Sequence, residues 1–268
     1  MKVSRAVQEF LADCRMKLSP ASMAAYESDL TRLVALASPD SVLGFTPDLI
    51  RAYFLGLSHQ GRRLSTLYRK HSVLHEFGRW GVRRKLWLAS PMDEIPRPPK
   101  PEHLPRPFTP EEISRLMRLD LPSVESVVRG LLYYTGLRVS PICQLKIGDV
   151  SFDEIAYPNG VTFPGVIRTI GKGNKPLVTP MHPVLKELLF AHVIQRTDLR
   201  GYMWLLRQLP MKQSKSEGRP YTRRLIEHMT HRWGKRAEVP NCLAHRFRHT
   251  FATDLLRQGT DIRVIQTS

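Results

Sequence analysis

The side chains best suited to chemistry lie in three short, widely separated segments. Arg138 follows Gly136-Leu137, which has the form of a helix stop, and precedes Ser140-Pro141, which has the form of a helix start. A guanidinium at such a corner presents a planar fork that can hold a phosphate through two hydrogen bonds, or bond nearby helix-terminal carbonyls. Lys172 falls in Gly171-Lys172-Gly173-Asn174, the predicted turn of a hairpin running from 167–170 to 177–179. The glycines let that turn approach another backbone closely, where a lysine can donate a proton; a hairpin-tip lysine can equally be a solubilising residue. The third segment, 244–253, puts His245 and Arg248 three residues apart on one helix face, with Phe247, Phe251 and Leu255 as a separate apolar stripe. His245 and His249 have the spacing of two metal ligands on one turn. No glutamate lies between them as a general base, no third ligand is evident, and His228 and His231 are no better supported. Neither a metal nor a cofactor is expected.

These segments need elements to hold them, and the surrounding sequence reads as two domains. The length of 268 residues suits two, and a hydrophobic fraction of 42% is enough for ordinary cores, which excludes disorder throughout. The boundary is residues 91–108, where Pro91, Pro96, Pro98, Pro99, Pro101, Pro105 and Pro107 forbid a helix interior and Arg97, Lys100 and Arg106 add positive charge. Residues 1–90 then form a helical domain and 109–268 a second one. In the first, Val3, Val7, Phe10 and Leu11 recur at helical spacing, as do Tyr26, Leu30, Leu33 and Val34. Ser19-Pro20 and Thr46-Pro47 each read as a cap followed by a first-turn proline. A further helix over about 65–80 carries Leu67, Val73, Leu74 and Phe77. Around it stand Arg62, Arg63, Arg69, Lys70, Arg79, Arg83 and Arg84, nearly all of one sign, which favours phosphate contact over a self-neutralised surface. Downstream, Thr109-Pro110-Glu111-Glu112 opens a helix, another spans about 123–134, residues 161–179 turn to strand character, and helices resume from Pro183. The second domain is expected to be mainly α with a small β-sheet.

Charge narrows the partner. Lys and Arg number 41 against 24 acids, a formal +17 with pI near 10.2. Such an excess is relieved by a polyanion, whose counterions are released on binding, so nucleic acid is the leading partner. An aromatic RNA-recognition signature is absent, which favours duplex DNA. Cys14, Cys143 and Cys242 make no CxxC pair and suggest no disulfide framework. No signal-peptide pattern and no apolar run near ~18 residues is found, so a cytoplasmic chain without a membrane partner is expected.

Taken in order, Thr135-Gly136-Leu137-Arg138-Val139-Ser140, Gly171-Lys172-Gly173-Asn174-Lys175 and His245-Arg246-Phe247-Arg248-His249-Thr250-Phe251-Ala252-Thr253 resemble the signature of the tyrosine recombinases of the phage integrase family. Leu104-Pro105 with Phe108-Thr109-Pro110-Glu111-Glu112 resembles the family's lead-in to its catalytic domain, and the basic helical first domain resembles its core-binding domain. The resemblance implies a two-domain clamp on duplex DNA, assembled as a homo-tetramer, that cuts and rejoins DNA through a 3′-phosphotyrosine without metal or nucleotide cofactor. It implies that Arg138 and Arg248 hold the nonbridging oxygens of the scissile phosphate. Lys172 would protonate the leaving 5′-hydroxyl, His245 would assist proton transfer at the tyrosine, and Lys175 would touch DNA. Two departures stand out. Pro141 occupies the place of the acid that supports the first arginine in the family, and no Leu-Gly-His turn or tyrosine follows residues 261–266 before Ser268. The chain as written is therefore expected to bind DNA without completing strand exchange, with a weakened tetramer contact. The alternative function is a non-enzymatic DNA-binding remnant or regulator, and RNA binding is a third.

Overall fold

Threonine caps followed by proline start helices where the sequence places them. The computed structural model describes residues 1–36, 41–100, 106–156, 160, 162–171, 175–196, 200–201, 203–208 and 218–257. It separates into two units, Met1–His103 and Leu104–Ser268. The first holds α1 (Val3–Arg15), α2 (Pro20–Leu36), α3 (Pro47–His59) and α4 (Leu64–Arg83). Thr46 Oγ1 accepts from the Leu49 amide at 3.3 Å and Pro47 fills the first turn of α3, satisfying an orphan donor without wasting another. Val3, Val7, Phe10, Leu30, Leu33, Val73, Leu74 and Phe77 are all buried, as their helical spacing predicts. An aromatic cluster centres the core: Phe77 lies edge-on to Phe10 at 5.4 Å and to Phe45 at 5.3 Å. Inside the stretch read as linker, Met92 and Ile95 are buried in this core and Phe108 in that of the second unit.

One basic residue of the first unit changes role. Lys70, expected at the DNA surface, is only 3% exposed. Its Nζ donates to Asp29 Oδ1 at 2.6 Å and to Tyr53 Oη at 3.1 Å, and Arg69 closes on the other side of the same carboxylate. An ammonium so placed cannot reach a phosphate, because leaving it would strand a buried carboxylate. Asp29→Ala is expected to destabilise this unit by about 3–5 kcal/mol, since it leaves a buried charge uncompensated, whereas Asp29→Leu combined with Lys70→Met restores most of that. Chemical unfolding measures it; a loss below about 1 kcal/mol for Asp29→Ala would contradict the buried pair.

The second unit comprises α5 (Pro110–Met117), α6 (Ser123–Thr135), α7 (Val139–Gln144), strands β1 (Val150–Ser151), β2 (Ile155–Ala156), β3 (Thr162–Phe163), β4 (Val166–Ile170) and β5 (Pro176–Pro180), then α8 (Pro183–Ile194), α9 (Arg223–Arg236) and α10 (Ala244–Arg257). The predicted hairpin is present as β4 and β5, antiparallel with Arg168 opposite Val178, and β1 extends it to the order β1-β4-β5. Its core includes Leu131, Leu132, Ile142, Ile167, Leu185, Leu189, Ile226, Trp233 and Phe247. Buried Glu125 on α6 accepts from Trp233 Nε1 at 2.7 Å and from Arg232, fixing α9 against α6. No helix of the described residues is long and apolar enough to cross a membrane.

Candidate active site

The site is built where α6 ends. Gly136 adopts a left-handed φ of 59°, and a side chain there would overlap the ring of Phe251 on α10, so only glycine permits this corner. Thr135 Oγ1 accepts from the Leu137 amide at 3.1 Å, and Leu137 turns into the core. The next residue, Arg138, is thereby directed outward: it is exposed, with extended backbone, as the N-cap of α7. Among the described residues no hydrogen bond or ion pair is formed by its guanidinium, which agrees with the absence of a carboxylate at Pro141. Arg138 and Pro141 line a cleft of about 400 Å³ whose opposite wall is Thr169, Ile170, Gly171 and Leu177 of the hairpin. Gly171 donates to the Lys175 carbonyl at 2.7 Å across the hairpin end, and Lys175 is exposed. Lys172 lies outside the described residues.

Helix α10 brings the other two groups. Phe247 is fully buried, edge-on to Phe108 at 4.8 Å, which sets the helix rotation and turns His245 and Arg248 away from the core. Arg248 is half-buried and donates to the Gly136 carbonyl, so the two cationic segments are tied at one corner. Burial, and then the charge of Arg138, makes the Arg248 guanidinium a poorer holder of its proton than an exposed arginine. The His245 imidazole is held below the usual histidine range, first by loss of solvent and then by the charges of His249, Arg248, Arg138 and Arg223. Its ring meets that of His249 at 4.2 Å and a 72° angle. A neutral imidazole is therefore the expected form at pH 7, able to accept a proton. Linkage has the corresponding sign: a histidine whose folded pKa is depressed costs stability as pH falls through its ordinary value near ~6.5. Cations this close repel each other, and an anion between them reverses that term. Among the described residues, no three His, Cys, Asp or Glu side chains are grouped to hold a metal ion.

Tyrosines in the region serve packing. Tyr133 and Tyr134 lie edge-to-face at 4.9 Å, Tyr134 stacks on His182 at 4.3 Å, and Tyr221 is buried in the core. Burial raises the pKa of all three. Tyr157 lies outside the described residues.

In the first unit Arg62, Arg63, Arg69, Arg79, Arg83 and Arg84 are exposed. Arg84 is engaged by Asp13 at 3.0 Å and lies over the Trp80 ring, and Arg69 is engaged by Asp29. The sequence reading passed over Arg223, at the first turn of α9 and electrostatically coupled to His245, and gave Arg246 no separate role. A Thr222 cap just before a basic residue was the available signal for Arg223.

Residues 107–268 match the family model for the phage integrase family, and residues 7–85 match that for the phage integrase N-terminal SAM-like domain. The chain belongs to the phage integrase family. Its curated relatives are named tyrosine recombinases. It is 28% identical over 260 residues to tyrosine recombinase XerC of Staphylococcus carnosus, covering 92% of this chain and 81% of that one. It is 27% identical over 282 residues to tyrosine recombinase XerD of Halalkalibacterium halodurans, covering 98% and 88%. Among solved structures, the Tn1549 transposon integrase in complex with transposon right end DNA aligns with a TM-score of 0.75 at 16% identity, over 100% of this chain and 90% of that one. A lambda integrase dimer bound to a COC′ core site aligns with a TM-score of 0.74 at 16% identity, over 99% and 93%. These two share the fold: mainly helical, in two domains, with small antiparallel sheets.

Proposed function

We propose that this chain is a site-specific DNA recombinase that cuts and rejoins duplex DNA at a single phosphate held by Arg138 and Arg248. The observation that carries this reading is the bond from Arg248 to the Gly136 carbonyl beside Arg138, which brings two guanidinium groups and the His245 imidazole to one corner, with no carboxylate among the described residues to neutralise Arg138. Phosphodiester transfer spreads negative charge over the nonbridging oxygens, and fixed cationic donors stabilise that charge without reorganising. By resemblance to the tyrosine recombinases the attacking group is a tyrosine, a place that Tyr133, Tyr134 and Tyr221, committed to packing, do not fill. The attacking oxygen bonds to phosphorus, its proton passes to His245, and the 5′-oxygen departs with a proton from Lys172; rejoining runs the same steps backwards. Lys172 is assigned because it falls in sequence between the two strands that wall the cleft beside Arg138.

Duplex DNA is the partner, gripped through Arg62, Arg63, Arg79, Arg83 and Lys175, with Arg69 and Arg84 able to exchange their carboxylates for phosphate. A homo-oligomer on DNA is proposed from the solved lambda integrase tetramer bound to a Holliday junction, and the cytoplasm is the proposed compartment. The reading is tested by competition at low salt between a duplex DNA and a single-stranded RNA of equal length. Duplex DNA is expected to win; preference for the RNA would sink the assignment.

A further inference from the structure

Helix α10 presents a third face that the reaction has not used. Arg246 lies between His245 and Phe247 in sequence, yet its side chain is only 15% exposed and turns toward the segment by which the chain enters the second unit. Its Nε donates to the Arg106 carbonyl at 3.0 Å, Nη2 to the Pro107 carbonyl at 3.2 Å and Nη1 to the Pro240 carbonyl at 2.7 Å. Nη2 also meets Glu112 Oε2 at 2.7 Å, and the guanidinium covers the Phe108 ring at 4.0 Å. One turn on, Thr250 Oγ1 accepts from the Phe108 amide at 2.8 Å and donates to the Arg246 carbonyl at 2.9 Å. Glu112 is in turn fixed by the Thr109 capping box, its Oε2 accepting from the Thr109 amide at 2.9 Å. All three nitrogens of the fork donate to the incoming segment, to its cap, or to the loop before α10. A surface arginine needs none of this, and folding alone would be served by an apolar residue over Phe108.

We propose that Arg246 is a positioning residue: it clamps the incoming segment 106–109 to α10 and thereby fixes the helix that carries His245 and Arg248. The clamp acts along the helix axis and about it. Pro107 and the capping box make the segment stiff, so it is a fixed reference rather than a yielding loop. Thr250 and Arg246 hold α10 to that reference by hydrogen bonds, and Phe247 packs on Phe108 of the same segment. Only the fork geometry reaches three carbonyls and a carboxylate together, which lysine cannot do. This proposal rests on the recombinase reading for its consequence in DNA chemistry, but the clamp itself has its own readout.

The test compares Arg246→Met, which keeps the cover over Phe108, and Arg246→Lys, which keeps charge and the reach to Glu112. The titration midpoint of the His245 ring is followed by NMR, beside the affinity of a nicked duplex DNA with and without orthovanadate, a five-coordinate mimic of the transferring phosphate. Both variants are expected to move the His245 midpoint upward, toward the ordinary range, because a loosened α10 returns the ring to solvent and carries it away from Arg138. Both are expected to lose about tenfold or more of the vanadate-dependent gain, with lysine losing less, as displacements near 1 Å at a reacting centre do. Because Arg246→Lys retains the charge, its shift reports position. Folded variants that keep the wild-type midpoint and vanadate gain overturn the proposal, as does full restoration by lysine. If Arg246→Met fails to fold, Arg246→Lys alone decides. Should the wild type not bind DNA, the recombinase reading fails, while the His245 titration still judges the clamp.

Discussion

Raising salt from about 50 to about 200 mM is expected to weaken duplex binding by about a thousandfold or more, the cost of ~6–10 phosphate contacts. The formal charge of +17 makes contacts of that number available, and the exposed Arg62, Arg63, Arg79 and Arg83 place several of them on and just before one helix. Each contact releases condensed counterions, so the logarithm of affinity falls linearly with the logarithm of salt, by about 0.9 per phosphate. Arg62→Ala and Arg63→Ala should each reduce the slope by about one. Lys70→Met should leave it unchanged, because that ammonium is committed to Asp29 and Tyr53. Fluorescence anisotropy across a salt series gives the slope directly. A slope near zero would mean that the basic surface meets no phosphate.

Orthovanadate is expected to tighten binding of a nicked duplex by on the order of a hundred-thousandfold, within the range that analogues of a transition state show. Arg138→Ala and Arg248→Ala should each remove about a hundredfold of that gain, the usual effect of deleting one donor to developing oxyanion charge. Affinity for an intact duplex should hardly move in either variant, since most phosphate contacts lie elsewhere. The two arginines differ in preparation. Arg248 is already fixed by the Gly136 carbonyl and by burial, whereas Arg138 is exposed and unrestrained by any described neighbour. Wild-type gain surviving in both variants would show that neither guanidinium meets the transferring phosphate.

Local signals made the helix starts legible: Thr46-Pro47 and Thr109-Pro110 are caps whose hydrogen bonds the structure contains. Gly136 was legible as a stop because a left-handed corner needs glycine there. The strand pair β4–β5 was readable from its turn, but its pairing with β1 was not, since two residues carry no periodic signal. Longer-range choices were hidden. Lys70 sits in a run of like charges, and only the fold brings it to Asp29, 41 residues away. Sequence reasoning considered carbonyl bonding for Arg138; the structure gives that bond to Arg248 and leaves Arg138 exposed. Arg246 was read only as part of a motif, because its partners Glu112 and Arg106 lie 134 and 140 residues upstream. The gathering of Arg138, His245 and Arg248 was readable from their order through family resemblance, whereas the Phe247–Phe108 packing that aims α10 is tertiary.

Two distant arginines are proposed to serve one phosphorus atom, and a double-mutant cycle between Arg138→Ala and Arg248→Ala in vanadate-dependent affinity measures that most directly. If both grip the same group, the double variant should lose little more than either single one, a coupling of about 1–3 kcal/mol. Losses that add to within about 0.5 kcal/mol would mean that the two side chains act at separate places, contradicting a shared phosphate.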